Sequence, residues 1–205
     1  MSKKNTSGNN IVKREWVLAD VLEKLPLGSR TAGRPQIIKD KYGKTVAFNG
    51  SADAIFLEEM PLTGLKKFTI EVIFKPQSGG SFEQRFLHCG EIQGDRILLE
   101  LRANESDWYF DGFIAVGDQK CALIEPNLVH PLDKWYHVAY MTDNGKLETY
   151  VNGKKELEGN VVLTPLKGGK TSIGVRQNEI SWFRGSIFKI RFTGAVLAPN
   201  EFMDF

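Results

Sequence analysis

From Thr45 onward, short runs of β-branched, aromatic and aliphatic residues alternate with Gly, Asn, Asp and Pro clusters. The runs are residues 45–48, 54–57, 68–75, 85–89, 96–102 and 108–116, then 135–142, 147–152, 171–176 and 186–192. Apolar runs of this length, bounded by turn formers, predict strands. Phe68, Ile70, Val72 and Phe74 fall on one side at period two. Leu147, Thr149 and Val151 share one face of their run, and Glu148 and Tyr150 take the other. The two apolar sets are assigned to a core between sheets.

Turn chemistry fixes two hairpins. Asn144-Gly145 separates residues 135–142 from 147–151, and Asn152-Gly153 follows at once. Asn-Gly supplies the positive φ values of a tight primed turn. Residues 135 to about 156 therefore read as a three-stranded meander. Gly43, Gly50 and Gly185 sit at run edges, where turn glycines belong. No window carries a sustained helical stripe; the short-helix candidates are residues 17–25 and 199–205. Ten or more strands without a helical layer can bury their apolar faces only against one another. The expected fold class is all-β, a two-sheet antiparallel sandwich or a barrel.

No internal repeat or linker divides the chain, and Ser78-Gly79-Gly80-Ser81 reads as a loop of modest length. The expected organisation is a polar tail over residues 1–10 and a single domain over residues 11–205. That tail carries no hydrophobic region and no cleavage pattern of a signal peptide. No segment approaches the roughly 20 apolar residues of a membrane span. The net charge of +2 on 205 residues gives no field strong enough to argue for nucleic acid or an anionic membrane as partner, and neither is expected. Basic pairs such as Lys3-Lys4 and Lys154-Lys155 read as solvated faces. Cys89 and Cys121 sit in apolar surroundings without a CxxC or His/Cys cluster, so no zinc site is expected. They read as two free thiols, with a disulfide as the alternative.

Four segments, in order, resemble the laminin-G-like, concanavalin A-like jelly-roll family. They are Tyr42-Gly43-Lys44 through Phe48-Asn49-Gly50, and Phe68-Thr69-Ile70-Glu71-Val72-Ile73-Phe74-Lys75-Pro76. Trp135-Tyr136-His137-Val138-Ala139 with Tyr150-Val151-Asn152-Gly153-Lys154 is the most specific pair. Residues 183–192 followed by 196–202 look like the closing strand and short helix. The resemblance covers residue 39 to the end, and it leaves a first strand to be found around residues 16–18. It implies a jelly roll, and by family habit an extracellular or periplasmic setting. Relatives include sugar-binding lectin modules, adhesion domains and appendages of glycan-degrading enzymes. Many bind calcium through an acidic pair in the closing strand, where this chain has Phe188-Lys189. A hard cation needs several oxygen ligands, so no metal or other cofactor is expected there; calcium stays open as an alternative, since Asn49 and Asp53 could still contribute oxygens.

Fold does not fix function, so the candidate chemistry is read residue by residue. No paired-carboxylate spacing of a sandwich glycosidase is found. Glu100-Leu101-Arg102 superficially resembles a strand of alginate lyases, but reads as an exposed edge of charges. His88, His130 and His137 have no metal-site spacing, and no GxSxG, P-loop or dinucleotide fingerprint occurs. Gln84, Phe86 and His88 share a face by strict alternation. The remaining polar and aromatic set is Arg85, His88, Trp108, Tyr109, Asp111, Arg176 and Trp182. An aromatic face stacks on a pyranose, and Asp or Arg groups fix its hydroxyls or an acidic sugar's carboxylate. Tyr109 and Asp111 point opposite to Trp108, so these residues cannot all line one cleft. Each tryptophan could instead fill the core; Trp182 is the best loop candidate for exposure.

The leading expectation is a non-enzymatic recognition module for glycan. The ligand-binding candidates are Trp182, Trp108, Asp111, Arg176, Arg85 and His88. The alternatives are a polysaccharide lyase or hydrolase using His88, Arg85 and a tyrosine such as Tyr109 or Tyr136, and a structural accessory domain that packs on protein partners. A lyase needs a base of pKa near 7 and an Arg to neutralise a uronate.

Overall fold

A computed structural model describes residues 13–205; the tail expected over residues 1–10 lies outside the described residues. Two antiparallel sheets face each other. In chain order the strands are β1 (Lys13–Val17), β2 (Arg30–Ala32), β3 (Gln36–Asp40), β4 (Gly43–Asn49), β5 (Ala54–Leu57) and β6 (Lys67–Pro76). Then come β7 (Glu83–Gly90), β8 (Arg96–Ala103), β9 (Asp107–Val116), β10 (Gln119–Ile124) and β11 (His130–Pro131). The last are β12 (Tyr136–Asp143), β13 (Lys146–Val151), β14 (Lys154–Asn160), β15 (Lys170–Ile173) and β16 (Arg184–Thr193).

The first sheet runs β14-β13-β12-β6-β16-β4-β3, with β1 paired to the second half of β16. The second runs β10-β9-β8-β7-β15-β5-β2, with β11 on β9. The architecture is the jelly-roll sandwich anticipated above. β2, β3 and β10 lie outside the runs that marked strands. They are polar or short and are held by pairing with β5, β4 and β9.

The period-two sets meet in the middle. Phe68, Ile70, Val72 and Phe74 of β6 are fully buried, as is Leu147 of β13. Phe74 stacks on Phe86 of β7 with ring centroids 4.6 Å apart, and meets Trp108 of β9 edge-on at 5.2 Å. Both Asn-Gly turns behave as their sequence requires. Asn144 and Gly145 have φ of 51° and 102°, and Asn152 and Gly153 have 50° and 74°.

A short helix, α1 (Leu18–Glu23), lies within the candidate range 17–25. Leu18, Val21, Leu22 and Leu25 pack on the core from one face. The C-terminal candidate narrows to a 3-10 turn at Pro199–Glu201. Beyond it the chain crosses the outer face of the first sheet. Phe202 packs on Ala139, Met141 and Tyr150, and the Met203 amide donates to Glu71 Oε1 at 2.7 Å. Glu71 is fully buried and also accepts from His137 Nε2 at 3.0 Å and from Arg191. Burial works against its charge. The His137, Arg191 and Met203 donors overcome that, and the carboxyl is held below the usual range.

Cys89 on β7 and Cys121 on β10 are free thiols. Two strands, β8 and β9, lie between them. Three strand spacings put them about 14 Å apart, twice the reach of a disulfide.

Candidate functional site

The outer face of the second sheet gathers polar side chains from β7, β8 and β9, and one irregularity decides which residues of β7 join it. Strict alternation along β7 would place Gln84, Phe86 and His88 together. A register shift between Arg85 and Leu87 breaks the alternation. Phe86 and Leu87 both enter the core, and beyond them the parity reverses. His88 then pairs across from Leu98, and Arg85 from Glu100. A bulge of this kind re-aims side chains. It puts His88 on the same outer face as Arg85, not with Gln84 and Phe86.

β8 and β9 complete the face. Ile97, Leu99 and Leu101 point inward, so Arg96, Leu98, Glu100 and Arg102 point out. On β9, Trp108, Phe110 and Ile114 point inward, leaving Tyr109, Asp111 and Phe113 outside. Glu100 is therefore not an exposed edge. Its strand lies between β7 and β9, and the residue is buried under flanking arginines.

The charges form a network. Glu100 Oε2 accepts from Arg102 Nη1 at 3.1 Å and stands 3.2 Å from Arg85 Nη2. Arg85 also pairs with Glu83, and Arg102 Nη2 meets Asp111 Oδ2 at 2.7 Å. Asp111 has Glu100 directly across the ladder. Burial first, and the Glu100 charge second, push its pKa up to about 6, against the pull of Arg102. Its Oδ1 is buried without a partner. Arg96 and Arg176 differ from Arg85 and Arg102. Arg96 Nη1 donates to the carbonyls of Gln93 and Gly94, at 2.9 and 2.8 Å. Arg176 Nη2 donates to the carbonyl of Ile92 at 3.0 Å. Arg85, Arg96, Glu100, Arg102, Asp111 and Arg176 surround a depression of about 260 Å³.

A larger depression, about 570 Å³, lies on the same face beyond the Arg176-Gln177 stretch. Phe56, Ile92, Glu58, Glu91, Gln93 and Gln177 line it. The Arg30 guanidinium sits 3.8 Å over the Phe56 ring. Gly169 and Gly90 cross at its wall so closely that a Cβ on Gly169, at φ +117°, would lie 2.2 Å from the Gly90 carbonyl. No sequence signal singled out Phe56, Ile92 or Gln177. Arg96 was not singled out either, and Arg102 entered only within Glu100-Leu101-Arg102.

The candidate residues fall into four groups. Arg85, Asp111 and Arg176 converge on the smaller depression. His88 lies on the face but is enclosed. Its Nδ1 accepts the Gln177 amide at 3.1 Å, so the proton is on Nε2, which donates to the Glu91 carbonyl at 2.9 Å. Burial, with repulsion from Arg176, Arg96 and Arg85, lowers its pKa to about 4. With both nitrogens engaged it offers neither a ligand contact nor a base. Trp108 is corrected outright: it is fully buried against Phe74 and Tyr136 between the sheets. Tyr136 is buried too and donates its hydroxyl to the Pro131 carbonyl at 2.7 Å. Tyr109 packs beside exposed Phe82 and lines neither depression. Trp182 is half-buried in the β15–β16 loop and also lines neither.

The positions of the family's calcium pair do not fit a cation. Phe188 stacks on Tyr42 at 5.2 Å, and Lys189 pairs with Glu15 at 3.1 Å. Asn49 Oδ1 accepts the amides of Ser51, Ala52 and Asp53, and Asp53 accepts those of Arg34 and Asn49. These oxygens serve a turn. Among the described residues no helix is long and apolar enough to cross a membrane.

Solved structures share this fold. Domain 4 of an extracellular arabinanase from Geobacillus stearothermophilus, solved in complex with arabinotriose, is 20% identical over 82% of this chain and 79% of that one, with a TM-score of 0.65. A heptameric SAP-like pentraxin from Limulus polyphemus is 15% identical over 77% and 78%, at 0.62. The ligand binding domain of botulinum neurotoxin serotype D, solved with N-acetylneuraminic acid, is 16% identical over 84% of this chain and 43% of that one, at 0.63. At these identities the likeness is one of fold alone. No curated protein matches the chain. A family model does match it, over residues 49–202, and by that match the chain belongs to the concanavalin A-like lectin/glucanases superfamily.

Proposed function

We propose that this chain is a non-catalytic carbohydrate-recognition module that works outside the cell and binds glycan on the outer face of the second sheet. The observation that carries the reading is the 570 Å³ depression on that face. It joins apolar surface from Phe56 and Ile92 to the carboxylates of Glu58 and Glu91, the amide of Gln93 and the side-chain oxygen of Gln177, whose Nε2 donates to the Gly90 and Lys170 carbonyls. Sugars need both kinds of surface, an apolar patch for their C–H face and polar groups for their hydroxyls. The sugar ligands of the arabinanase domain and the neurotoxin domain support the class, without carrying residues across.

The non-catalytic part rests on occupied chemistry. His88 has no free lone pair, and Glu100 is consumed by Arg85 and Arg102. Binding is proposed to need no calcium, since Phe188 and Lys189 replace the acidic pair.

A glycan-array screen of the intact chain, with and without chelator, tests this. Selective binding is expected, unchanged by chelator and lost in Phe56→Ala and Gln93→Ala. Retention of binding in both, with loss in Trp182→Ala, would move the site to the β15–β16 loop and overturn the reading. Turnover of any bound polysaccharide would overturn the non-catalytic part.

A further inference from the structure

Every carboxylate around the smaller depression is taken by Arg85 or Arg102. Arg96 and Arg176 have no carboxylate within 4.0 Å among the described residues; backbone carbonyls hold both, and the Arg96 guanidinium also sits 5.2 Å over the Phe113 ring. Four guanidinium groups thus meet three carboxylates, Glu83, Glu100 and Asp111, and all three pair with Arg85 or Arg102. The Nε groups of Arg96 and Arg176 are buried without partners, and so are Nε and Nη1 of Arg85, a residue only 8% exposed. Buried N–H groups without acceptors cost free energy, and like charges held together cost more. The strain is visible in Arg96, whose pKa is lowered by burial and by the neighbouring Arg176 and Arg85 charges. A fold that holds cations so has left room for an acceptor.

We propose that Arg96 and Arg176, with Arg85 beneath them, form a receptor for the carboxylate of an acidic sugar. This deepens the glycan-binding reading and rests on it. A planar carboxylate matches the guanidinium fork, and two forks can hold both of its oxygens. The depression is compact, about 260 Å³, and its wall at Arg176 adjoins the larger one through Gln177. One acidic ring can sit over the arginines while its neighbours continue over Ile92 and Phe56. A polyanion such as nucleic acid would need a broad basic stripe, which a chain of net charge +2 does not carry.

The test is calorimetric titration of the intact chain with oligogalacturonate and with its methyl ester, and with sialyllactose and lactose. Inorganic sulfate serves as the free-anion arm. At least one acid is expected to bind, on the order of tenfold or more tighter than its neutral counterpart. Arg96→Gln and Arg176→Gln are each expected to remove roughly that tenfold, as loss of a charged hydrogen bond should. Neutral-ligand affinity stays unchanged, the melting temperature does not fall because each variant relieves a like-charge contact, and raised salt weakens the acid alone. Equal affinity for acid and neutral forms would overturn the carboxylate receptor while leaving glycan recognition standing. So would an acid preference that survives both arginine variants, or sulfate binding with no sugar preference. No binding to any glycan would overturn both readings.

Discussion

Replacing Asp111 by Asn removes one charge from the centre of the arginine face and nothing else of that size. In the native chain the carboxyl is 3% exposed and faces Glu100 across the β8–β9 ladder. Like charges directly opposite in a sheet repel, and burial penalises the anion further. Together they raise the pKa from 3.8 to about 6, although Arg102 lies 2.7 Å away. The folded state therefore holds this proton more tightly than the unfolded chain. The stability contributed by protonation is fully present below about pH 4 and is lost as the pH rises through about 6. At about 1.4 kcal/mol per pH unit between the two pKa values, the loss is about 3 kcal/mol. Asn keeps the shape and cannot ionise. Urea denaturation of both proteins at pH 4.5 and 7.5 isolates this group with its coupling to Glu100, because the titrations of groups remote from it cancel in the difference. The wild type is expected to lose about 2 kcal/mol relative to Asp111→Asn between those pH values. A difference that is flat, or that grows in favour of the wild type with rising pH, would refute the reasoning. It would mean that Arg102 outweighs burial and Glu100 and keeps Asp111 ionised.

Three further outcomes follow from packing and burial. Trp108→Ala empties the largest fully buried side chain of the core; equilibrium unfolding should show a loss of about 3–5 kcal/mol, with ligand affinity per folded molecule unchanged. Glu71→Gln leaves Arg191 and His137 without their buried counter-charge; a cost of about 3–5 kcal/mol is expected, with earlier proteolysis of the tail that Met203 anchors. The Cys89 thiol, pushed up to about 12 by burial, should resist a thiol reagent at pH 8 until the protein unfolds, and reaction at the native rate of an exposed thiol would contradict its placement.

Much of the sandwich was readable because its strands obey period two and its hairpins use residues that prefer positive φ. The alternating sets of β6 and β13 are buried where the pattern put them, and both Asn-Gly turns have the geometry their residues favour. The site was less readable, for three physical reasons. A bulge after Arg85 reversed the parity of β7, and a one-residue insertion leaves no mark in composition. Trp108 carries an indole N–H that suits either a site or a core, and only the opposing sheet decides between them. Phe56, Ile92 and Gln177 come from strands and loops far apart in the chain, joined by the pairing of β5, β15 and β7. Arg85, Asp111 and Arg176 do line one depression together; their spacing alone could not separate them from solvated charges.

The central claim is that the outer face of the second sheet recognises glycan. Backbone amide NMR, with the intact chain titrated by the strongest array glycan, tests it most directly. The account predicts shift changes at residues 91–94, at Lys170, and at Arg176 and Gln177, spreading to Arg96 and Asp111 for an acidic glycan. Changes confined to the β15–β16 loop at Trp182, or to the first sheet beneath the C-terminal tail, would contradict it.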